Sequence, residues 1–172
     1  LVKESIMCWI ILLLIPVVYG QEPAQVGRGR KIFFESEAAG TRCGNCHAIE
    51  KKGTPAGPDL GRLAMLNPRA IKMAVLSTAT QYVVSAKMKT GTSFPAMKGA
   101  EEGAEVQLFD LSSNPPELKK VPKADVEYQP NTAWKHPPES TRLTAPQLAD
   151  VIAFLRFAAT GDKKTIRPED VE

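Results

Sequence analysis

The stretch Cys43-Gly44-Asn45-Cys46-His47 decides how the rest of this chain is interpreted. Its C-x-x-C-H spacing is typical of a site where haem is attached covalently. Two thiols three residues apart on one turn of chain can each add to one of the two vinyl groups of a haem. The histidine that follows is then carried under the ring, where a ring nitrogen can bind the iron as proximal ligand. The motif therefore predicts one covalently bound haem c, with iron, held by Cys43, Cys46 and His47.

The composition fits a globular protein with one substantial hydrophobic core. The chain has 172 residues, of which 43% are hydrophobic and 24% are charged. These proportions are ordinary for globular proteins, and the length suits a single domain. The net charge of +3 is too small to indicate nucleic-acid binding, so no nucleic-acid partner is expected.

Residues 1–20 are predicted to be a secretory signal peptide. The apolar run Ile6–Val18 is interrupted by Pro16, and Val18-Tyr19-Gly20 offers the small residues that precede signal-peptide cleavage. A retained N-terminal anchor is the alternative, although the run is shorter than the roughly 20 residues of a membrane span. We therefore expect a periplasmic or otherwise extracytoplasmic protein, with any membrane contact made through a retained N-terminal segment or a partner.

Removal of residues 1–20 would leave Cys43 and Cys46 as the only cysteines. An exported chain whose only thiols stand in C-x-x-C-H favours haem thioethers. A redox-active dithiol is one alternative, but no strand-helix-strand pattern surrounds the motif. A zinc site made by Cys43, Cys46, His47 and His136 is another alternative, which lacks the usual second ligand pair at short spacing.

Three helices are predicted from apolar periodicity and from residues typical of helix ends. The first contains Gly29 and Phe33 and ends near Gly40. The second begins at Asn67-Pro68, with asparagine as N-cap and proline in the first turn. The third begins at the capping box of Thr144 and Gln147 and ends at Gly161.

The region between the second and third helices has a strand pattern. Apolar and polar residues alternate with period two, and turn residues separate the short runs. This predicts a small antiparallel β insertion at about residues 81–128. The candidate strands are Tyr82–Lys89, Thr92–Met97, Glu105–Asp110, Leu118–Val121 and Val126–Tyr128.

A second motif, Gly57-Pro58-Asp59-Leu60, follows the first at a short distance, and here the chain resembles the class I cytochromes c. The likeness extends over roughly residues 27–160 and is to a single-haem cytochrome c domain with an inserted β segment. It implies that the carbonyl of Pro58 accepts a hydrogen bond from Nδ1 of His47 and thereby directs Nε2 to the iron. It also implies that Gly29 and Phe33 pack across the last helix.

The resemblance implies a mainly α fold, with a cytochrome c-like helical core around one covalent haem and the small β insertion at 81–128. The domain organisation is then a signal or anchor at 1–20, a linker at 21–26, the cytochrome c domain at 27–160 and a charged, loose tail at 161–172.

The chain departs from the family pattern at the distal iron ligand. Related domains place a methionine-proline pair before the last helix, but this chain has Trp134-Lys135-His136-Pro137 there. We therefore predict His136 as the sixth ligand. Met97 and Met88 are the fallback ligands, and an open sixth position is the remaining alternative.

The predicted function is single-electron transfer through the haem, without substrate chemistry. The protein would be a soluble carrier or a subunit of a membrane respiratory or photosynthetic complex, and Lys51 and Lys52 could dock an acidic redox partner. The alternative function is a haem sensor or peroxidase-like protein with an open distal site.

Overall fold

The computed structural model describes residues 21–35, 42–76, 82–131, 133–136 and 142–172. The predicted signal peptide at 1–20 lies outside these residues, as do residues 36–41, which include the predicted end of the first helix near Gly40, and residues 77–81, 132 and 137–141.

Three α-helices are present in the described residues: α1 at Ala24–Glu35, α2 at Pro68–Leu76 and α3 at Ala145–Thr160. Within that part of the chain, no helix has both the length and the apolar character needed to cross a membrane. Single 3₁₀ turns occur at Cys43–Asn45, Leu63–Met65, Lys123–Asp125 and Pro168–Asp170.

The helix ends follow local chemistry. Oδ1 of Asn67 accepts a hydrogen bond from the Ala70 amide at 2.9 Å and thereby caps α2. Thr144 and Gln147 form the predicted capping box of α3. Gly161 ends α3 in the left-handed conformation, with a φ of 73°. These three predictions are confirmed, whereas α1 begins at Ala24 and so includes part of the predicted linker at 21–26.

Helix α1 crosses α3 to form the main hydrophobic core. Gly29 lies against the backbone of Asp150, where a Cβ atom would collide with the carbonyl group. Phe33 is fully buried, and its ring centroid lies 5.4 Å from that of Phe154. The expected packing of Gly29 and Phe33 across the last helix is therefore confirmed.

In the described residues between α2 and α3, five antiparallel strands form one sheet, in the order β4-β3-β2-β1-β5. Their pairing includes Ala86 opposite Phe94 and Ala96 opposite Asp110, with a register shift between Lys98 and Glu101. The strands are β1 at Val84–Met88, β2 at Ser93–Glu102, β3 at Glu105–Asp110, β4 at Glu117–Pro122 and β5 at Val126–Pro130.

The sheet is curled, because β4 and β5 occupy opposite edges and yet are joined by only Lys123–Asp125. In a flat sheet, four inter-strand spacings would separate these edges by about 19 Å. The four Cα–Cα steps from Pro122 to Val126 span at most about 15 Å. The two edge strands must therefore approach each other at the end where Lys123–Asp125 joins them.

The prediction of a mainly α protein is wrong. The sheet holds nearly as many residues as the three α-helices, and it has an apolar cluster separate from the helical core. Because the sheet has its own hydrophobic core, the protein has an α+β fold in which the sheet is a part of comparable size to the helical part. The buried members of its cluster are Ala86, Phe94, Ala96, Val106, Leu108 and Val126.

The C-terminal segment also differs from expectation, because it packs against the helical core. Ile166 and Val171 are buried in the same cluster as Phe33 and Phe154. The side-chain amide of Gln25 donates to the Ile166 carbonyl at 2.7 Å, and its oxygen accepts from the Ile166 amide at 3.0 Å. The tail is therefore part of the folded unit.

Candidate haem site

The C-x-x-C-H motif forms a tight turn next to α1. Residues Cys43–Asn45 make one 3₁₀ turn, and the amides of Cys46 and His47 both donate to the Cys43 carbonyl, at 3.1 and 2.8 Å. Gly44 lies beneath the ring of Phe34, so that a Cβ atom there would come within 2.6 Å of the ring. The turn places both thiols and the imidazole in one short segment against the helical core.

Burial keeps both motif thiols protonated. It raises the pKa of Cys43 to about 11 and also raises the pKa of Cys46. No disulfide joins the two sulfurs, although both lie in described residues. A redox-active dithiol instead needs a lowered thiol pKa, because the thiolate is the attacking species. The environment of Cys43 and Cys46 therefore disfavours the dithiol alternative.

His47 is oriented by the loop that follows it. Its Nδ1 lies 2.8 Å from the carbonyl oxygen of Pro58 and donates a hydrogen bond to it. This is the contact that the resemblance implies for Pro58, and it leaves the lone pair on Nε2. Burial lowers the pKa of His47, which favours the neutral imidazole that binds metals.

Gly57 packs flat against the His47 ring. A Cβ atom on Gly57 would lie 2.5 Å from Cε1 and 2.7 Å from Nδ1 of His47. The amide of Gly57 donates to the Cys46 carbonyl, and the amide of Thr54 donates to the Gly44 carbonyl at 2.9 Å. The loop that contains Thr54 and Gly57 is thus held against the motif by two backbone hydrogen bonds, and only glycine fits beside the His47 ring.

His136 lies across from His47. The two ring centroids are 6.4 Å apart, the ring planes differ by 27°, and Nδ1 of His136 is buried. A histidine nitrogen binds a metal at about 2.0–2.1 Å with the ring centre about 1.1 Å behind it, so two imidazoles on opposite sides of one metal have centres about 6.3 Å apart. The observed separation therefore matches a pair of axial ligands.

The other candidates for the sixth ligand belong to the sheet. Met88 packs against the apolar cluster of the sheet, and Met97 lies opposite Phe109 in the β2–β3 register. The ring centroid of His136 lies 6.4 Å from that of His47. The described residues contain no group of three or more His, Cys, Asp or Glu side chains able to hold a metal ion.

Three further contacts at the site involve residues outside the two motifs. The Asn45 side-chain amide donates to Oδ1 of Asn114, in the loop after β3, at 2.7 Å. The ring of Trp134 lies 5.4 Å from that of His136, and the Trp134 amide donates to Oδ1 of Asn131 at 3.1 Å. Asn45 and Asn114 are far apart in the chain, so only folding reveals their contact, whereas Asn131 bonds a backbone amide three residues ahead, as turn asparagines commonly do.

The donor set fits a haem. Two protonated thiols stand in one turn, one neutral imidazole is fixed by its Nδ1 hydrogen bond, and a second imidazole faces it at the spacing of an axial pair. Histidine is a common axial ligand of haem iron. The site therefore defines the chain as a haem-binding protein.

The family model for cytochrome c matches residues 26–158, which include the motif, the sheet and most of α3. The chain belongs to the cytochrome c family and is a haem-binding, electron-transfer protein. Cytochrome c domains are typically extracytoplasmic. No curated protein matches the chain.

Proposed function

We propose that this chain is an exported c-type cytochrome with a single covalent haem and two histidine axial ligands. His47 is the proximal ligand and His136 the distal one. The observation that carries this proposal is the 6.4 Å separation of the two imidazole centroids. The haem supplies one-electron chemistry, because its iron alternates between Fe(II) and Fe(III).

Cys43 and Cys46 provide the covalent attachment. Each thiol would hold the haem by adding across one vinyl group, with a new sulfur–carbon bond and the thiol hydrogen transferred to the neighbouring vinyl carbon. No atom is lost and no disulfide is needed in this addition. The raised pKa values of both thiols support it, because protonated, buried thiols resist competing disulfide exchange before attachment.

The protein residues set the potential of the site. The Pro58 carbonyl holds Nδ1–H of His47 and so makes Nε2 a better donor. Methionine as the second axial ligand raises the potential of a cytochrome c. With His136 in that place, we expect a lower potential than in relatives that use methionine.

Export and partners follow from the sequence and from the surface charge. The apolar run Ile6–Val18 supports export, because it has the length and ending of a signal peptide. Lys51 and Lys52 are exposed, four and five residues after His47, where they can steer an acidic redox partner. The protein acts as a soluble carrier or as a subunit of a membrane respiratory or photosynthetic complex, and co-purification with membrane protein separates these two roles.

The deciding experiment compares optical and EPR spectra of the oxidised holoprotein for wild type, His136→Ala and Lys135→Ala. We expect a low-spin, bis-imidazole spectrum in wild type and a high-spin spectrum in His136→Ala. Lys135→Ala is the matched control, because it alters an exposed side chain of the same loop and should leave the spectrum unchanged.

Three other outcomes would contradict the proposal. A sulfur-to-iron charge-transfer band that survives in His136→Ala would identify Met88 or Met97 as ligand. A high-spin wild-type protein would favour the sensor or peroxidase-like alternative with an open distal site. Haem that is extracted from the denatured wild-type protein by acid and organic solvent would exclude covalent attachment through Cys43 and Cys46.

A further inference from the structure

We propose that the curled sheet holds the distal ligand in place, with Asn131 as the positioning residue for the loop that carries His136. This inference rests on the proposed function, since it concerns the residue assigned there as distal ligand. It assigns to the inserted sheet a structural role, positioning of the distal loop, that electron transfer alone does not require.

Asn131 joins the sheet to the distal loop through two hydrogen bonds. Its backbone amide donates to the carbonyl of Val83, the buried residue just before β1, at 3.1 Å. Its side-chain oxygen accepts from the amide of Trp134 at 3.1 Å. The first bond fixes Asn131 to the sheet, and the second fixes the loop to Asn131 two residues before His136.

Trp134 carries this constraint to the ligand. Its ring lies 5.4 Å from the ring of His136, and its side chain is half-buried. Without this hydrogen bond, the six residues from Asn131 to His136 could extend over about 20 Å. The His136 ring could then take many positions in which it does not reach the iron. The hydrogen bond to Asn131 removes most of that freedom before the ligand binds.

The sheet also contacts the proximal side of the site. Asn114, in the loop that joins β3 and β4, accepts a hydrogen bond from the side chain of Asn45 at 2.7 Å. Asn45 lies inside the C-x-x-C-H motif. The sheet therefore contacts the proximal motif through Asn114 and the distal loop through Asn131. Both segments that carry a proposed axial ligand are thus hydrogen-bonded to the sheet or its loops.

The test measures how readily His136 leaves the iron. Carbon monoxide binds a six-coordinate ferrous haem only after a native ligand dissociates, so its binding rate reports that dissociation. Loss of one hydrogen bond shifts such an equilibrium roughly two- to tenfold. We expect Asn131→Ala to speed carbon monoxide binding by this factor and to speed hydrogen exchange at the Trp134 amide.

Two further variants separate positioning from stability. Asn131→Asp keeps an acceptor oxygen and should restore the wild-type rate. Asn67→Ala is the matched control, because it removes the same kind of bond, from the Ala70 amide to Oδ1 of Asn67 at 2.9 Å, at the start of α2. It should lower stability without changing carbon monoxide binding.

The outcomes distinguish this inference from the proposed function. A bis-imidazole wild-type spectrum with unchanged carbon monoxide binding in Asn131→Ala would overturn the positioning role and leave the ligand assignment intact. Equal acceleration in Asn131→Ala and Asn67→Ala would also overturn it, because the effect would then be general destabilisation. A wild-type protein without histidine as its distal ligand would overturn both.

Discussion

Gly29 of α1 lies directly against the backbone carbonyl of Asp150 in α3, at the point where the two helices cross. The neighbouring Arg28 donates two hydrogen bonds to the Asp150 carboxylate, at 2.8 and 2.9 Å. The two helices are thus in backbone contact at the centre of the crossing, at Gly29, and are joined by the Arg28–Asp150 ion pair at its edge. This close approach brings α1, and the motif that follows it, onto α3.

We predict that Gly29→Ala destabilises the protein by about 1–3 kcal/mol, because the added methyl group forces the two helices apart. Gly27→Ala is the matched control, since a Cβ atom there meets nothing within 4 Å. That variant should stabilise the helix by about 0.5–1 kcal/mol. Urea denaturation measures both. Equal effects of the two substitutions would show that helix propensity, rather than the crossing, governs position 29.

Gly57→Ala should disturb the haem site more than the fold. The added methyl group would lie 2.5 Å from Cε1 of His47, so the ring must turn and lose its hydrogen bond to Pro58. We expect a mixed-spin or high-spin oxidised spectrum with little change in helix content. Gly27→Ala again serves as control and should keep the wild-type spectrum. An unchanged spectrum in Gly57→Ala would show that the loop moves away without displacing the ligand.

Deletion of residues 165–172 should destabilise the protein by about 3 kcal/mol or more, because it exposes the pocket filled by two fully buried apolar side chains. Ile166 is 2% exposed and Val171 is 0% exposed. The double variant Lys163→Ala/Lys164→Ala alters exposed residues of the same segment and should have almost no effect. Thermal unfolding measures the difference. A truncated protein as stable as wild type would show that burial of Ile166 and Val171 contributes nothing to the free energy of unfolding.

The stability of the sheet should depend on pH through Asp110. Burial opposes ionisation of this carboxyl, but hydrogen bonds from Lys119, at 2.6 Å, and from Ser112 outweigh it and lower its pKa below the ordinary 3.8. A lowered pKa in the folded state gives stability that is present above the unfolded value and is lost as the pH falls through the folded value.

We therefore expect Asp110→Asn to cost about 1 kcal/mol near neutral pH. Its stability curve should converge with that of wild type as the pH falls below 3.8. Denaturant titrations between acid and neutral pH test this. Asp125→Asn, which removes a more exposed carboxylate paired with Lys89 at 3.4 Å, is the control for loss of a surface ion pair and should cost less stability than Asp110→Asn at neutral pH. Parallel curves for wild type and Asp110→Asn would contradict the assignment.

Helix boundaries and strand positions could be predicted where one local interaction decides them. Asn67, Thr144 and Gly161 act through hydrogen bonds or backbone angles within a few residues of themselves. The strand at Glu105–Asp110 has the predicted bounds, since alternation of apolar side chains is a property of the strand itself. Helix α1 begins at Ala24, inside the predicted linker at 21–26, and Val26 of this first turn packs into the core.

The size of the sheet was underestimated for a physical reason. Short strands interrupted by Pro95 and by turn residues indicate only a small insertion in a helical domain when each is considered alone. Their stability comes from cross-strand packing between partners that are distant in sequence, such as Leu108 with Phe94 and Val126 in one cluster. The mainly α prediction failed because that packing has no local signature.

The sequence by itself determined the chemistry at the proximal side. Cys43, Cys46 and His47 act through their spacing within one turn, and Pro58 lies near enough in the chain for its carbonyl to reach His47. Only the tertiary structure decided that the tail is buried, that the sheet curls, and that His136 faces His47 at 6.4 Å. These relationships join residues far apart in the chain, and their distances are set by packed helices and paired strands rather than by any local preference of the residues that meet.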